Sequence, residues 1–440
     1  MKIFRFKGGI HPPHSKSATE KLPIEDFPTP DFVSIPLRQH IGAPTELVVA
    51  KGDEVKVGQL LAKGGGFVSA NIHSSVSGKV KEIKVTDTAY GLEKVVVIEN
   101  DRLYTVSETV VPPADYKTLG TKEIVGLIQE AGLVGMGGAG FPTHVKLSVP
   151  PDKHVDTIIL NGVECEPYIT CDHRLMLESP EKIVQGLRIV MHALGVVNGI
   201  IGIEDNKPDA IAVMEEAVKG SNITVATLKA KYPQGAEKQL IFATTGREVP
   251  SGGLPADAGV VVVNVATSYA IAELFETGMP PVQRCCTITG KGVKNPKNLR
   301  FRIGVTLRDM IEYCGGYSGD IGKVILGGPM MGVAQFTDQV QAIKNTSAVL
   351  VLTPDQVAVD KNNNCIKCGK CIEVCPIGLQ PVQLSAHSMR NQFAEAEKYR
   401  ALDCIECGSC SFICPAKRSL LPSIRVAKRE ILAARRKNGK

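Results

Sequence analysis

Two runs of cysteine near the C-terminus restrict the fold of this chain more than any other feature. Both runs have the spacing C-x2-C-x2-C-x3-C and end on a proline, and together they hold eight of the 13 cysteines in the 440-residue chain. Paired disulfides are rare in a reducing compartment, so such clustering favours a metal or redox site. The first run consists of Cys365, Cys368, Cys371 and Cys375, and the second of Cys404, Cys407, Cys410 and Cys414.

The spacing resembles that of bacterial ferredoxins with two [4Fe-4S] clusters, in which the fourth cysteine of each run binds the other cluster. Zinc usually binds two separated C-x2-C pairs and fits this pattern poorly. The 28 residues from Pro376 to Asp403 have a helical pattern, which favours the helical ferredoxin domain of respiratory enzymes. We expect one cluster on Cys365, Cys368, Cys371 and Cys414, and the other on Cys375, Cys404, Cys407 and Cys410.

The rest of the chain predicts an α/β multidomain protein. Residues 120–280 alternate helical patterns with short apolar strands, which indicates a mostly parallel sheet. Residues 41–100 resemble the barrel-sandwich domain of biotinyl carriers, but 64–75 contain no lysine to modify. The segment 285–330 resembles a β-grasp ligand-binding module. The predicted domains are an N-terminal arm (1–40), a barrel-sandwich-like domain (41–115), an α/β domain (116–282), a β-grasp module (283–350), a helical two-cluster ferredoxin domain (351–420) and a basic tail (421–440).

Charge and hydropathy bear on location. No apolar run approaches the roughly 18 residues of a membrane span, and the N-terminus has no apolar signal-peptide core, so we expect a cytoplasmic chain. Residues 416–440 carry nine Lys/Arg against one acid, whereas the whole chain has a net charge of +6. Such a tail suits membrane partners or anionic lipid, and the alternative is a solvated, partly helical end of the chain. It lacks interleaved aromatic residues, so nucleic acid is not an expected partner.

A glycine-rich loop from Gly135 to Gly140 suggests a nucleotide site. Glycines let the backbone approach a phosphate closely, and Lys146 offers a countercharge. The loop follows a helix and lacks the Rossmann spacing, so by itself it is weak evidence.

A larger constellation resembles the flavin- and NADH-binding subunit of respiratory complex I. It combines the glycine loop with the segment N-G-V-E-C-E-P at 161–167 and two later segments at 232–237 and 264–267. The resemblance implies that Phe141 and Glu166 face the nicotinamide nucleotide, and that Glu164 and Glu166 act in catalysis by orienting flavin and nicotinamide. Val149, Val163, Ala236 and Val263 depart from the family pattern. The residues implied to hold non-covalent FMN are Gly135, Gly137, Gly138, Gly140, Lys146, Asn161, Glu164, Tyr232, Gly235, Glu237, Asn264 and Thr267.

The whole chain, from F-K-G-G-I-H-P-P-H at 6–14 to the cysteine runs, resembles the RnfC family, whose members are subunits of the Rnf complex. The resemblance implies an ion-translocating ferredoxin:NAD oxidoreductase subunit that passes electrons between NAD(H), FMN and two [4Fe-4S] clusters. It also implies a peripheral position on the cytoplasmic face of the cell membrane, with NADH, a ferredoxin-facing iron–sulfur subunit and membrane subunits as partners. The alternatives are an iron–sulfur relay with a vestigial flavin site and a flavin/iron–sulfur cobalamin reductase.

Overall fold

The computed structural model describes residues 3–357 and 363–437. The ends of the predicted arm and tail, and a short part of the predicted ferredoxin segment, lie outside the described residues. Among the described helices, none combines the length and the apolar character needed to span a membrane.

The N-terminal third forms a barrel-sandwich of two antiparallel sheets. One sheet has the order β2-β8-β7-β4 and the other β3-β5-β6. Their apolar faces meet around Ile35, Leu61, Ile72 and Ile98, which are fully buried. The strands of this part of the chain, of which β1 lies outside the sandwich, are β1 (Ile24–Asp26), β2 (Phe32–Pro36), β3 (Thr45–Leu47), β4 (Glu54–Val55), β5 (Leu60–Gly64), β6 (Ile72–His73), β7 (Gly78–Thr88) and β8 (Gly91–Asn100).

The predicted arm, 1–40, therefore contributes two strands. β2 is the edge strand of the sandwich sheet, whereas β1 leaves the sandwich and joins the β-grasp sheet further along the chain. Both strands are short and lie in the proline-rich stretch. Proline has no backbone N–H to donate, and an edge strand tolerates this because one of its sides is unpaired.

The central α/β domain is built on a parallel four-stranded sheet. The strand order is β11-β10-β9-β12, with helices on both faces. A first turn of 3-10 helix (Tyr116–Thr118) precedes it, and a second (Pro255–Ala258) leads into β12. The elements are α1 (Thr121–Glu130), α2 (Thr143–Leu147), β9 (Thr157–Asn161), α3 (Cys171–Glu178), α4 (Pro180–Leu194), β10 (Asn198–Glu204), α5 (Pro208–Ala217), β11 (Ile223–Leu228), α6 (Glu237–Thr245), β12 (Val260–Asn264) and α7 (Val265–Thr277).

Burial on both faces explains the continuous apolar sequence of these strands. In β9, Ile158 and Leu160 point into one core, and Ile159 between them points into the other. Asn161 and Asn264 end β9 and β12 and are aligned partners in the ladder. The carboxyl edge of the sheet, where ligands bind in open α/β folds, thus carries two asparagines side by side.

The β-grasp module shares its sheet with β1, in the order β1-β14-β13-β17-β15-β16. Helix α8 covers this sheet with Leu307, Met310 and Ile311. A turn of 3-10 helix (Pro354–Gln356) follows the module. Its elements are β13 (Gln283–Thr289), β14 (Lys297–Arg302), α8 (Leu307–Tyr313), β15 (Lys323–Leu326), β16 (Val333–Gln335) and β17 (Ala348–Leu352).

The cysteine-rich part is helical, as its sequence predicts. Its last helix begins at Leu420 and buries Ile424, Ala427 and Ile431 against the rest of the module, so it crosses the predicted boundary between the ferredoxin segment and the tail. The basic segment is therefore one face of an amphipathic helix that completes the core. The elements are α9 (Lys370–Glu373), α10 (Pro381–Met389), α11 (Phe393–Lys398), a 3-10 turn (Ala401–Asp403), α12 (Ser409–Ile413) and α13 (Leu420–Lys437).

Candidate functional site

The glycine loop forms an exposed turn between α1 and α2. Its ends are joined because the Gly135 N–H donates to the Phe141 carbonyl at 2.8 Å. The Met136 N–H donates to the Thr267 hydroxyl at 2.9 Å, which ties the loop to the start of α7. Residues 137–139 at the tip are exposed, and Phe141 is half-buried. The tip thus offers backbone groups to a ligand above the sheet edge.

Side chains from four segments surround this loop at the carboxyl edge of the sheet. The Asn161 amide donates to the Gly235 carbonyl at 2.9 Å. Lys146 pairs with Glu237 at 2.7 Å and also donates to the Val262 carbonyl at 3.0 Å. About a third of the side chains of Lys146 and Glu237 is exposed (31% and 38%), so both remain accessible to a ligand.

Asn264 links the loop to a buried acid. Its side chain accepts from the Ala266 N–H at 2.9 Å, which caps α7, and donates to Asp172 at 2.7 Å. A Cβ on Gly137 would lie 2.6 Å from the Asn264 Nδ2 atom, whereas a Cβ on Gly138 would meet no atom within 4 Å. Position 137 therefore requires glycine, because the backbone there lies against the Asn264 side chain. At Gly138 the space above the loop is open. This cradle of exposed backbone and a nearby cation fits a phosphorylated flavin.

Glu164 lies in the loop that follows β9. Its carboxylate accepts from the Asp172 N–H at 2.7 Å at the start of α3. It also lies 3.7 Å from the Lys16 ammonium, and both side chains are almost fully buried (4% and 6% exposed). Burial raises the pKa of Glu164, and the Lys16 charge opposes that shift.

Lys16 is the main contact of this loop that the sequence did not reveal. It comes from the N-terminal arm and donates to the carbonyls of Glu164 at 2.9 Å, Glu166 at 3.0 Å and Ile169. A second buried lysine, Lys207, donates to the Val163 carbonyl at 2.8 Å. The ammonium groups of two buried lysines thus hold the backbone of the predicted flavin segment that follows β9.

Glu166 is held by the β-grasp module. Its carboxylate accepts from the N–H groups of Met330 at 3.1 Å and Met331 at 2.8 Å. Burial raises the pKa of Glu166 to about 7, opposed by these two hydrogen bonds. The resemblance predicts that Glu166 faces the nicotinamide nucleotide, and this stays a prediction; the Glu166 carboxylate itself joins the α/β domain to the β-grasp module.

Tyr232 connects the α/β domain to the second cysteine run. Its ring is 1% exposed, and its hydroxyl donates to the Cys407 carbonyl at 2.8 Å. The arm packs on the same contact, because Ile10 and Tyr232 exchange backbone hydrogen bonds at 2.8 and 2.9 Å. Cys165 packs in the same cluster and accepts from the Gly235 N–H at 3.3 Å. The flavin segment and the cysteine module thus meet through direct contacts.

The first three cysteines of the second run line a cavity together with the last cysteine of the first run. Cys375, Cys404, Cys407 and Cys410, here called the inner cysteine set, all border this cavity. Apolar side chains complete the wall, including Leu421 and Ile424 from α13. Four thiols around one apolar cavity fit an iron–sulfur cubane. This is the grouping that the crossed spacing predicts.

The remaining four cysteines, here called the outer cysteine set, lie nearer the surface. Cys365 and Cys368 are exposed, and Cys371 and Cys414 are partly buried. The Asn363 amide donates to the Ala416 carbonyl at 3.0 Å, which brings the segment before Cys365 next to the segment after Cys414. The other five cysteines, at 165, 171, 285, 286 and 314, lie in the α/β domain and the β-grasp module.

Comparison with known families gives a match for each module. The descriptions are an RnfC barrel sandwich hybrid domain (residues 4–103), a Nuo51 FMN-binding domain (128–273), an SLBB domain (286–334) and a 4Fe-4S dicluster domain (364–418). They confirm the predicted fold class and the prediction of FMN and iron–sulfur clusters as cofactors.

Full-length relatives are similar along nearly the whole chain. The C subunit of the Na(+)-translocating ferredoxin:NAD(+) oxidoreductase complex of Acetobacterium woodii is 52% identical, over 99% of both chains. The C subunit of the proton-translocating complex of Clostridium ljungdahlii is 52% identical over 98% of this chain and 94% of its own. The C subunit of the ion-translocating oxidoreductase complex of Rhodobacter capsulatus is 39% identical over 88% of this chain and 75% of its own.

Among solved structures, an NAD+-reducing [NiFe]-hydrogenase in the H2-reduced state is similar in fold. The TM-score is 0.51 at 19% identity, and the match covers 74% of this chain and 68% of that chain. At this identity the likeness concerns the fold alone.

Proposed function

The chain belongs to the RnfC family of ion-translocating ferredoxin:NAD oxidoreductase complexes, and from this premise we propose how its residues transfer electrons. The chain is the electron-transfer subunit that exchanges electrons with NAD(H) and passes them through two iron–sulfur clusters. FMN, when bound, converts between the two-electron hydride of NAD(H) and the single electrons of the clusters.

One observation carries this proposal. The Tyr232 hydroxyl, in the predicted flavin segment, is hydrogen-bonded to the backbone of Cys407, in the inner cysteine set. The flavin segment and a cluster site therefore share a buried contact and are not separated by a solvated linker. This supports an order in which the inner cysteine set receives electrons from the flavin side and the outer cysteine set exchanges them with a partner.

The residues of the α/β domain have separate tasks in this proposal. The glycine loop, with Gly135, Gly137, Gly138 and Gly140, presents its backbone to the FMN phosphate. Lys146 supplies a positive charge when it turns from Glu237 to that phosphate. Asn161, Gly235, Glu237 and Asn264 shape the side of the flavin. The buried Tyr232 and Thr267 support that side through their contacts with Cys407 and with the Met136 N–H.

The two glutamates orient the nucleotides through the loop that carries them. Glu164 is fixed by Lys16 and by the start of α3, and Glu166 by the β-grasp backbone. Phe141 is half-buried beside the glycine loop and forms the apolar wall for the nicotinamide nucleotide.

The test compares cofactor content with NADH-driven reduction in the purified full-length chain. The purified chain should bind FMN non-covalently and contain about eight iron atoms, four per cluster. Addition of NADH should bleach the absorbance of both clusters. Lys146→Ala should weaken FMN binding roughly ten- to a hundredfold, because one charge-assisted hydrogen bond contributes about 1.5–3 kcal/mol. A chain that retains its iron but binds neither FMN nor NADH would be an iron–sulfur relay, and the proposal would fail.

We also propose that the chain is a peripheral subunit on the cytoplasmic face of the membrane. The relatives are named as subunits of ion-translocating complexes. Its partners are then the membrane subunits and the ferredoxin-facing iron–sulfur subunit. Fractionation should find the chain on membranes and release it with salt, and protease added to intact cells should not cleave it.

A further inference from the structure

The surface around the outer cysteine set combines exposed apolar side chains with unpaired cations. Ile366 is 65% exposed and lies within the first cysteine run. Ile372 on α9 and Phe412 on α12 are 40% and 42% exposed, and the two short helices pack against each other. Large apolar side chains grouped on a surface mark interaction sites more often than scattered ones do.

Three lysines lie within five residues of these apolar residues in the sequence. Lys367 and Lys370 lie between the cysteines of the first run, and Lys417 follows Cys414. All three are exposed, and within residues 3–357 and 363–437 no carboxylate forms an ion pair with them. By contrast, Arg425 and Lys428 on α13 both pair with Glu406, close to the inner cysteine set. The positive charge near the outer set is thus left for another molecule.

The three segments that carry these residues are held together. The contact of Asn363 with the Ala416 carbonyl joins the start of the first run to the segment of Lys417. Helix α9, which carries Ile372, packs on α12, which carries Phe412. We call this surface, made of Ile366, Lys367, Lys370, Ile372, Phe412 and Lys417, the outer face.

We propose that the outer face docks an acidic surface of a one-electron redox subunit, with carboxylates placed around an apolar centre. The proposal rests on the proposed function, in which the outer cysteine set exchanges electrons with a partner. An apolar centre with a charged rim is the usual anatomy of a protein interface, and electron-transfer encounters are typically small, below about 1,200 Å². Complementary charge would speed the encounter and orient it.

The direct test reverses the charge of the outer face. The variant carries Lys367→Glu, Lys370→Glu and Lys417→Glu, and the matched control carries Lys51→Glu, Lys63→Glu and Lys122→Glu, three exposed lysines of other modules. Each purified full-length protein is added to membranes that hold the rest of the complex. The measurement is electron transfer from reduced ferredoxin to NAD+ as a function of salt.

The outer-face variant should transfer electrons roughly ten- to a thousandfold more slowly at low salt, the range over which electrostatic steering acts. The difference should shrink as salt rises, because screening weakens the attraction that the variant has lost. The control variant should behave as the unmodified chain. Equal rates for all three proteins would overturn the proposal.

Two further measurements separate the possible causes. NADH-driven bleaching of the chain's own clusters should be unchanged in the outer-face variant; its absence in the unmodified chain would instead contradict the proposed function. If the triple variant loses iron, the single variant Lys417→Glu replaces it, because Lys417 lies outside the cysteine runs. It should also slow electron transfer from reduced ferredoxin to NAD+ at low salt.

Binding to protein-free vesicles of phosphatidylglycerol and phosphatidylcholine should not differ between variant and control. Selective loss of vesicle binding would assign the outer face to lipid and overturn the docking proposal.

Discussion

The two cysteine sets have the same spacing in the sequence and different surroundings in the fold. In the inner set, Cys407 and Cys410 are only 7% and 8% exposed, and the cavity they line is closed by apolar side chains. In the outer set, Cys365 and Cys368 are exposed. The difference teaches that ligand spacing specifies a cluster, whereas the neighbouring modules determine what each cluster exchanges electrons with. Tyr232 of the α/β domain and Ile10 of the arm pack against Cys407 of the inner set, whereas the outer set keeps two exposed cysteines, which we propose face a partner.

The comparison is tested most strongly by removing one crossed ligand at a time. Cys375→Ser should remove the inner cluster and so stop NADH-driven reduction of the outer cluster. Cys414→Ser should remove the outer cluster and leave the inner cluster reducible by NADH. Iron analysis and electron paramagnetic resonance of each variant give the result. If Cys414→Ser abolished the cluster on Cys404, Cys407 and Cys410 instead, the crossed assignment would be wrong.

Loss of Lys16 should have the next largest effect, on the covered side of the molecule. Lys16→Met removes the ammonium but keeps an apolar stem, and leaves Glu164 as an unpaired buried charge, which typically costs about 3–5 kcal/mol. The free energy of unfolding from urea titration should fall by that amount, with weaker FMN binding. Lys7→Met, at an exposed position of the same arm, is the matched control and should change little. Similar effects for both variants would show that the arm, and not the Lys16 contacts, stabilises the loop.

The role of α13 gives a third prediction. Ile424 is 1% exposed and borders the inner cavity, so Ile424→Ala should destabilise the cluster module by about 2–5 kcal/mol and hasten loss of the inner cluster. Leu432→Ala on the same helix, where the side chain is 42% exposed, should stay within about 0.5 kcal/mol. The loss of the cluster is measured as the rate at which the visible absorbance of the clusters bleaches in air. Equal bleaching rates would mean that α13 is a detachable tail.

The smallest predicted effect concerns the glycine loop. Gly137→Ala places a methyl group against Asn264, and overpacking of this kind typically costs about 1–3 kcal/mol. The Kd for FMN should rise by roughly one to two orders of magnitude. Gly126→Ala, in α1 and outside the loop, adds the same methyl group where no atom lies within 4 Å, so its Kd should stay close to that of the unmodified chain. Flavin fluorescence titration distinguishes them, and the reverse order would place the flavin elsewhere.

Local patterns predicted much of this architecture. The alternating strands and helices indicated the parallel sheet. The crossed ligand assignment stays a prediction, which the shared cavity of Cys375, Cys404, Cys407 and Cys410 supports. The contacts of Lys16 were not predictable, because the residues it holds lie about 150 positions away. The placement of Glu166 on Met330 and Met331 was hidden for the same reason.

For α13 a usable signal was present. Leu420, Leu421, Ile424, Ala427 and Ile431 recur at helical spacing and form one apolar face. The density of lysine and arginine on the opposite face led to the interpretation of the segment as a separate tail. Amphipathic periodicity is therefore the better guide to where a basic segment belongs.

The central claim is that the inner cysteine set lies between the flavin and the outer cysteine set. Rapid mixing of the full-length protein with NADH, freezing at successive times and electron paramagnetic resonance test it directly, with signals assigned from the Cys375→Ser and Cys414→Ser variants. We expect the inner-cluster signal to appear first and the outer-cluster signal to follow, and we expect no outer signal in Cys375→Ser. An outer cluster that is reduced first, or at an unchanged rate in Cys375→Ser, would contradict the account.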